Sequence, residues 1–278
     1  MDHTSTARCP LCGTASRKRA FSGHEGLMKC LRCGIVFNSL HRPLRYNDSY
    51  FIEDYRAQYG KTYEEDFDTI YRMSLVRIET ILPLLKQTSG PHPPSLLDIG
   101  CALGFFMKAA SDRGFRVRGV EISPYGSAYC REKFGMEVFQ GPFDEFSTGE
   151  LYDVITAWYF LEHCADPVQV VERISGMLNR GGIFAFSAPS IFGPQFRLHR
   201  ETWAGTHPVD HRIDLSPRSA RAFLTRHGFR KIIIRPGGIH PERVMAKGSF
   251  LYPAFSRLYN GISGLISFSD TMEVYAVK

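Results

Sequence analysis

The chain has 278 residues, 44% of them hydrophobic, with 34 Lys+Arg against 28 Asp+Glu and a formal net charge of +6. That size and apolar content fit one medium globular domain with a real core plus a small appendage. No apolar run approaches the ~20 residues that span a bilayer, which argues against a helical membrane protein, and an odd total of seven cysteines argues against a disulfide framework.

Residues Met1 to Arg8 are polar and lack the apolar stretch of a secretory signal, so a cytoplasmic location is expected. The modest positive balance is spread along the chain and reads first as solubility; Arg17-Lys18-Arg19 is the one tight basic cluster. Residues 1–40 carry two Cys-x-x-Cys pairs, Cys9-Pro-Leu-Cys12-Gly and Cys30-Leu-Arg-Cys33-Gly, with 17 residues between them. Each pair can seat two thiolates on one metal from a tight turn. Gly13 and Gly34, which follow the second cysteines, supply the backbone freedom such knuckles need. Four thiolates make a closed tetrahedral site, which is structural zinc. A redox dithiol or an iron–sulfur centre is the alternative, and Cys9, Cys12, Cys30 and Cys33 are the metal ligands expected of a zinc ribbon.

Residues 41–94 form a Tyr-rich connector and linker. Tyr46, Tyr50, Tyr55, Tyr59, Tyr63 and Tyr71 punctuate a segment that looks helical, and Tyr55, Tyr59 and Tyr63 are spaced to share one helical face. Such rows usually pack; a cap over an active site, with one phenol reaching substrate, is the sharper reading. Gly90-Pro91-His92-Pro93-Pro94 cannot continue a helix.

From residue 95 to 278 short apolar runs alternate with amphipathic stretches, the signature of an α/β sheet. Strands are expected at 96–100, 117–122, 137–140, 153–158, 183–188, 231–235 and 272–277, seven in all. Helices are expected at 105–113, 124–134 with Pro at its first turn, 167–178 closed by Asn179-Arg180-Gly181-Gly182, and 216–227 with a Gly228 stop. Residues 241–267 read as partly helical.

Leu97-Asp98-Ile99-Gly100-Cys101-Ala102-Leu103-Gly104 ends a strand, turns sharply and opens a helix. Ligands of open α/β sheets bind beyond such strand ends, and glycine lets the backbone approach them closely. Val120-Glu121-Ile122-Ser123 ends the next strand, placing a carboxylate where it can accept from a ribose diol. These residues describe a site for an adenosine-containing cofactor. A nicotinamide dinucleotide would want Gly-x-Gly-x-x-Gly, and here Gly100 and Gly104 stand four apart with no third glycine in place.

The segment resembles motif I of class I, Rossmann-like S-adenosylmethionine-dependent methyltransferases, an acidic residue followed by Gly-x-Gly-x-Gly, with Ala102 at the middle glycine. The resemblance implies a seven-stranded sheet with helices on both faces, preceded here by the zinc ribbon and the helical connector. It implies that Asp98, Gly100, Ala102 and Gly104 line the methionine end, that Glu121 grips the ribose beside Ile122, and that Phe143 of Gly141-Pro142-Phe143-Asp144 flanks adenine. Tyr152 to His163 resembles the fourth-strand motif ending in Leu-Glu-His, which would put Trp158 and Tyr159 beside the sulfonium. The layout is also similar to that of deoxysugar C-methyltransferases.

In methyl transfer the cofactor supplies the electrophile, and the protein orients, desolvates and removes a proton. The segment Trp203 to Asp214 concentrates His207, Asp210, His211 and Asp214. His211 is the first choice of general base, His207 the second, and His163 a third that reads more as structural. The expectation is methyl transfer to carbon or oxygen of a small molecule, a sugar or a secondary metabolite. The rivals are an RNA methyltransferase holding RNA through the ribbon and Arg17-Lys18-Arg19, and a scaffold that binds the cofactor without turnover. Oligomeric state is not legible in the sequence.

Overall fold

The computed structural model describes residues 7–16, 18–43, 49–85 and 92–278. Arg17 of the basic cluster, Tyr46 and the Gly90-Pro91 start of the linker lie outside the described residues. Strands β1 (Ala7–Arg8), β2 (Ala15–Ser16), β3 (Leu27–Lys29) and β4 (Val36–Asn38) come from the cysteine segment. Helices α1 (Tyr55–Tyr59) and α2 (Phe67–Leu85) come from the connector, and the rest follows as β5 (Ser95–Ile99), α3 (Phe105–Asp112), β6 (Arg116–Glu121), α4 (Pro124–Phe134), β7 (Val138–Gln140), β8 (Tyr152–Trp158), α5 (Pro167–Met177), β9 (Leu178–Pro189), α6 (Pro194–Leu198), α7 (Arg200–Gly205), β10 (Ile213–Asp214), α8 (Pro217–Arg226), β11 (Arg230–Pro236), α9 (Tyr252–Ile266) and β12 (Thr271–Val277).

The seven strands expected from the sequence form one sheet in the order β11-β12-β9-β8-β5-β6-β7. Chain order runs outward from β5 to β6 and β7, then resumes on its other side at β8, so β5 and β8 flank a switch point of the kind where open α/β sheets bind ligands. One boundary differs: Asn179-Arg180-Gly181-Gly182, read as a helix-closing turn, lies inside β9, which begins directly after α5. By compactness the chain divides into two units that alternate along the sequence. One comprises Met1–Pro43, Tyr159–Val171 and Phe186–Tyr275; the other comprises Leu44–Trp158, Glu172–Ala185 and Ala276–Lys278.

In the second unit every residue of β5 is buried, which explains its unbroken apolar run: parallel strands covered on both faces need no alternation. β5 pairs in parallel with β6 (Ile99 opposite Val120) and with β8 (Asp98 opposite Thr156), and β6 pairs with β7 (Glu121 opposite Gln140). α4 starts where its caps dictate: the Ser123 hydroxyl accepts from Gly126 N at 3.2 Å, Pro124 opens the first turn, and Gly135 closes the helix at φ +64°. The connector packs on the start of α3. Phe51, Leu103 and Phe105 form a buried cluster against Tyr63, Phe67 and Phe134, with the Phe67 and Phe105 rings edge-to-face at 4.9 Å.

The tyrosine row is not one helical face. Gly60, at φ +76°, ends α1, and Tyr63 returns over Tyr55, ring centroids 4.9 Å apart, from beyond the break. Its rings nonetheless make packing contacts: Tyr55 donates to Asp66 at 2.6 Å, and Tyr63 lies 5.4 Å from the Phe105 ring.

In the first unit β3 and β4 form a hairpin, and β10 adds to it antiparallel, with Ile213 opposite Phe37 and Asp214 opposite Val36. Phe21, Leu27 and Val36 share a buried cluster with Ile191, Phe196 and Ala204. The cysteine segment is thus part of the same core as residues 186–275. α8 is opened by a reciprocal cap between Ser216 and Ser219, with Pro217 at its first position. Among the described residues, no helix is long and apolar enough to cross a membrane.

Candidate active site

The loop from Gly100 to Gly104 is held from below by one carboxylate. Glu121, only 6% exposed, accepts from Ala102 N through Oε2 and from Ser123 N through Oε1, both at 2.8 Å. Burial raises its pKa while these amides pull it back, and the net direction is upward. Ala102 takes φ +52°, the left-handed conformation that explains why a glycine is usual there. Gly104, at φ +76°, has no room for a side chain: a Cβ would stand 2.8 Å from Cys130 Sγ. Cys101 and Cys130 are buried with Met107 in one sulfur-rich cluster beneath the loop, whereas Cys164 is only partly buried.

Asp98 is 1% exposed and accepts from Thr156 Oγ1 at 2.6 Å. Burial pushes its carboxyl up to about 7, with Thr156 and Arg77 acting the other way. Arg77, from α2, is 4% exposed and lies with its guanidinium 4.1 Å from the centre of the Trp158 ring. Phe106 meets the same indole edge-on at 5.0 Å. Sequence reasoning reserves the Trp158 face for a sulfonium; within the chain a protein cation already occupies part of it. Arg77 escaped the sequence reading because nothing in α2 marks it except a charge on a buried helical face. Ile122 is 49% exposed at the end of β6, an apolar side chain left open beside Glu121. Phe143 is buried, with the Arg173 guanidinium 5.3 Å from its ring. A paired-carboxylate turn with a glycine approach and an open apolar flank has the donor and acceptor set an adenosine sulfonium requires, and S-adenosylmethionine fits it.

Tyr159 follows Trp158 with φ +52°, a costly conformation for an aromatic residue, and is 42% exposed. Its amide donates to Ser187 O and Oγ at 3.1 and 3.0 Å. The Leu161–His163 turn then presents Glu162 and His163. His163 Nδ1 lies 2.8 Å from Asp210 Oδ2. Burial acts to lower His163, but Asp210 and the nearby Glu162 charge outweigh it and leave the imidazole above its ordinary value. His207 Nε2 lies 2.9 Å from Asp214 Oδ2, and its ring packs on Trp203 at 4.9 Å. His211 sits between the pairs, edge-on to His163 at 4.8 Å and to His207 at 5.7 Å. Burial and the charge of His163 push it down to about 3. The structure therefore brings all three sequence-predicted histidines together, and assigns the carboxylate partners to His163 and His207.

The backbone of this cluster is tied to the cysteine segment. Asn38, the last residue of β4, donates through N to Arg212 O at 3.0 Å, and Arg212 Nη1 donates to Asn38 O at 2.7 Å. Arg212 N donates to Glu162 O at 2.6 Å. The four cysteines converge with Sγ separations of 3.5 Å (Cys9–Cys33), 3.6 Å (Cys12–Cys30) and 3.8 Å (Cys12–Cys33). Bonds of ~2.3 Å to a tetrahedral zinc require edges of about 3.8 Å, so the donor set fits zinc. Of the basic cluster, Arg19 lies 3.5 Å from Glu25, a neutralised pair.

Residues 71–233 match a family model described as a methyltransferase domain. A ubiquinone biosynthesis O-methyltransferase of Bordetella avium is 26% identical over 220 residues, which are 72% of this chain and 90% of the relative. The fold is similar to that of a SAM-dependent methyltransferase from Archaeoglobus fulgidus, with a TM-score of 0.56 at 17% identity over 78% of this chain and 98% of the other. It is also similar to a plantazolicin methyltransferase solved in complex with SAH, with a TM-score of 0.54 at 15% identity over 83% of this chain and 92% of the other.

Proposed function

This chain belongs to the methyltransferase-domain family and is an S-adenosylmethionine-dependent methyltransferase, and on that premise we propose that it methylates an oxygen of a small molecule, with His163 taking the acceptor's proton. The oxygen acceptor is supported by the curated relative, named an O-methyltransferase. The observation that supports the proton step is the bond between His163 Nδ1 and Asp210, which fixes the ring. His207 has its Nε2 engaged by Asp214, and His211, first in the sequence ranking, has no carboxylate hydrogen bond to its ring among the described residues.

When bound, S-adenosylmethionine supplies an electrophilic methyl on a sulfonium. Gly100, Ala102 and Gly104 would approach it with backbone, Glu121 would accept from the ribose, and Ile122 and Phe143 would flank the base. Asp98, Arg77, Trp158 and Tyr159 serve the methionine end, where Arg77 offers a cation for the cofactor's carboxylate. His163 would take the proton that an acceptor hydroxyl releases as its oxygen is methylated.

Incubation with cofactor labelled in the methyl group, an extract fractionated into small molecules and RNA, and the zinc-loaded protein tests the reading. Label is expected in a small-molecule ether. His163→Gln should lower kcat by about 10²–10⁴-fold while leaving the affinity for SAH unchanged by calorimetry. Label confined to RNA, or full turnover by His163→Gln, overturns it.

A further inference from the structure

A second group of metal-ligating side chains stands apart from the four cysteines. His207, His211 and Asp214 each bring one donor atom to within 4.8 Å of the others. An overlapping group, Glu162, His163 and His211, meets the same distance and shares His211. The two groups meet at His211 and together contain three imidazoles and two carboxylates.

The hydrogen bonding of these carboxylates is incomplete. Asp214 is 1% exposed; its Oδ2 meets His207, but its Oδ1 is buried with no hydrogen-bond partner among the described residues. Glu162 is also 1% exposed, and its Oε2 is likewise buried without a partner. A buried carboxylate oxygen without a donor costs on the order of 1–3 kcal/mol or more, and native folds rarely retain two in one cluster. A divalent cation bound by Asp214 removes the deficit at that carboxylate.

The donors are also held by regular structure. Asp214 belongs to β10, in register with Val36 of β4. His207 follows α7 and is braced by the Trp203 ring. His211 is placed by the bonds of its neighbour Arg212 to Asn38 and Glu162. Two imidazoles and one carboxylate are the ligand set of open divalent sites, with zinc and iron(II) the usual occupants.

We propose that His207, His211 and Asp214 form a binding site for a divalent transition-metal ion, separate from the four-cysteine centre. His163 stays outside the ligand set, so the site stands or falls independently of the base assigned above.

The test is cobalt(II) binding to the full chain after both metals have been stripped, followed by absorption spectroscopy and elemental analysis. Two equivalents are expected. One shows the intense sulfur-to-cobalt charge-transfer band of thiolate ligation, and the other shows only the weak visible bands of nitrogen and oxygen ligands. His211→Gln and Asp214→Asn should each abolish the second equivalent and keep the first, whose charge-transfer band also reports that the ribbon has folded. Where Asp214→Asn does not fold, His211→Gln decides. A single thiolate-bound equivalent in the unaltered protein overturns the proposal, as does a second equivalent that survives His211→Gln.

Discussion

In the cofactor loop, Glu121 meets the amides of Ala102 and Ser123, 19 and 2 positions away in the chain. In the histidine cluster, Arg212 meets Asn38, 174 positions away, and His163 meets Asp210 across the segment that contains β9. The first arrangement follows whenever β5 and β6 pair in register. The second exists only when the cysteine hairpin has formed and taken up β10 as its third strand. One site is therefore a property of a strand–turn–helix unit, and the other is a property of tertiary assembly with a metal-dependent part.

The largest test of that difference is metal removal. Structural zinc is worth about 10–16 kcal/mol of apparent binding in isolated fingers, so a chelated chain loses the ribbon. Hydrogen exchange should then show protection lost at residues 36–38 and, with them, at 209–214, while β5 stays protected. Unchanged protection at Ile213 and Asp214 would break the comparison.

Glu121→Ala is the converse experiment. It leaves two buried amides without an acceptor, at about 1–3 kcal/mol each, so affinity for SAH should fall more than about tenfold and the urea midpoint should drop. Protection at 209–214 should not move; a collapse there would mean that the two sites are not separable.

Asp98 gives the cofactor side a pH signature of its own. Its carboxyl stands at about 7 in the fold against an ordinary 3.8, so both folded and unfolded chains hold the proton below about pH 4. As pH rises from there, the unfolded chain releases it first, and the folded state is penalised by on the order of a few kcal/mol once pH passes about 7. Asp98→Asn should flatten this decline in denaturation midpoints between pH 5 and 8; an identical slope in the variant would contradict it.

The smallest effect is expected at Ala102→Gly. Relief of the left-handed alanine should stabilise the chain by up to about 1 kcal/mol, read as a small rise in Tm. A loss of stability would show that the alanine methyl packs usefully under the loop.

The legible parts were those whose physics is local. Ser123, Pro124 and Gly135 bound α4 where the sequence puts it, and the buried run Leu96 to Ile99 gives β5 to within one residue. Cys9, Cys12, Cys30 and Cys33 announce their convergence by spacing alone. By contrast, Arg77 is one charged residue among several on α2, and only its burial over Trp158 distinguishes it. The histidines were found as a group, but their carboxylate partners were not, because the pairing of His163 and His207 depends on where Asp210 and Asp214 point.

By itself the sequence determined the seven strands, the motif turn and the four-thiolate centre, since each rests on periodicity, capping or ligand spacing within a few dozen residues. Only the tertiary structure decided that β10 completes the cysteine hairpin, that Asp210 holds His163, and that two buried carboxylate oxygens gather beside three imidazoles. The physical reason is range: a cap or a knuckle is selected by neighbours along the chain, whereas a buried hydrogen bond between distant residues is selected by the packing that brings them together.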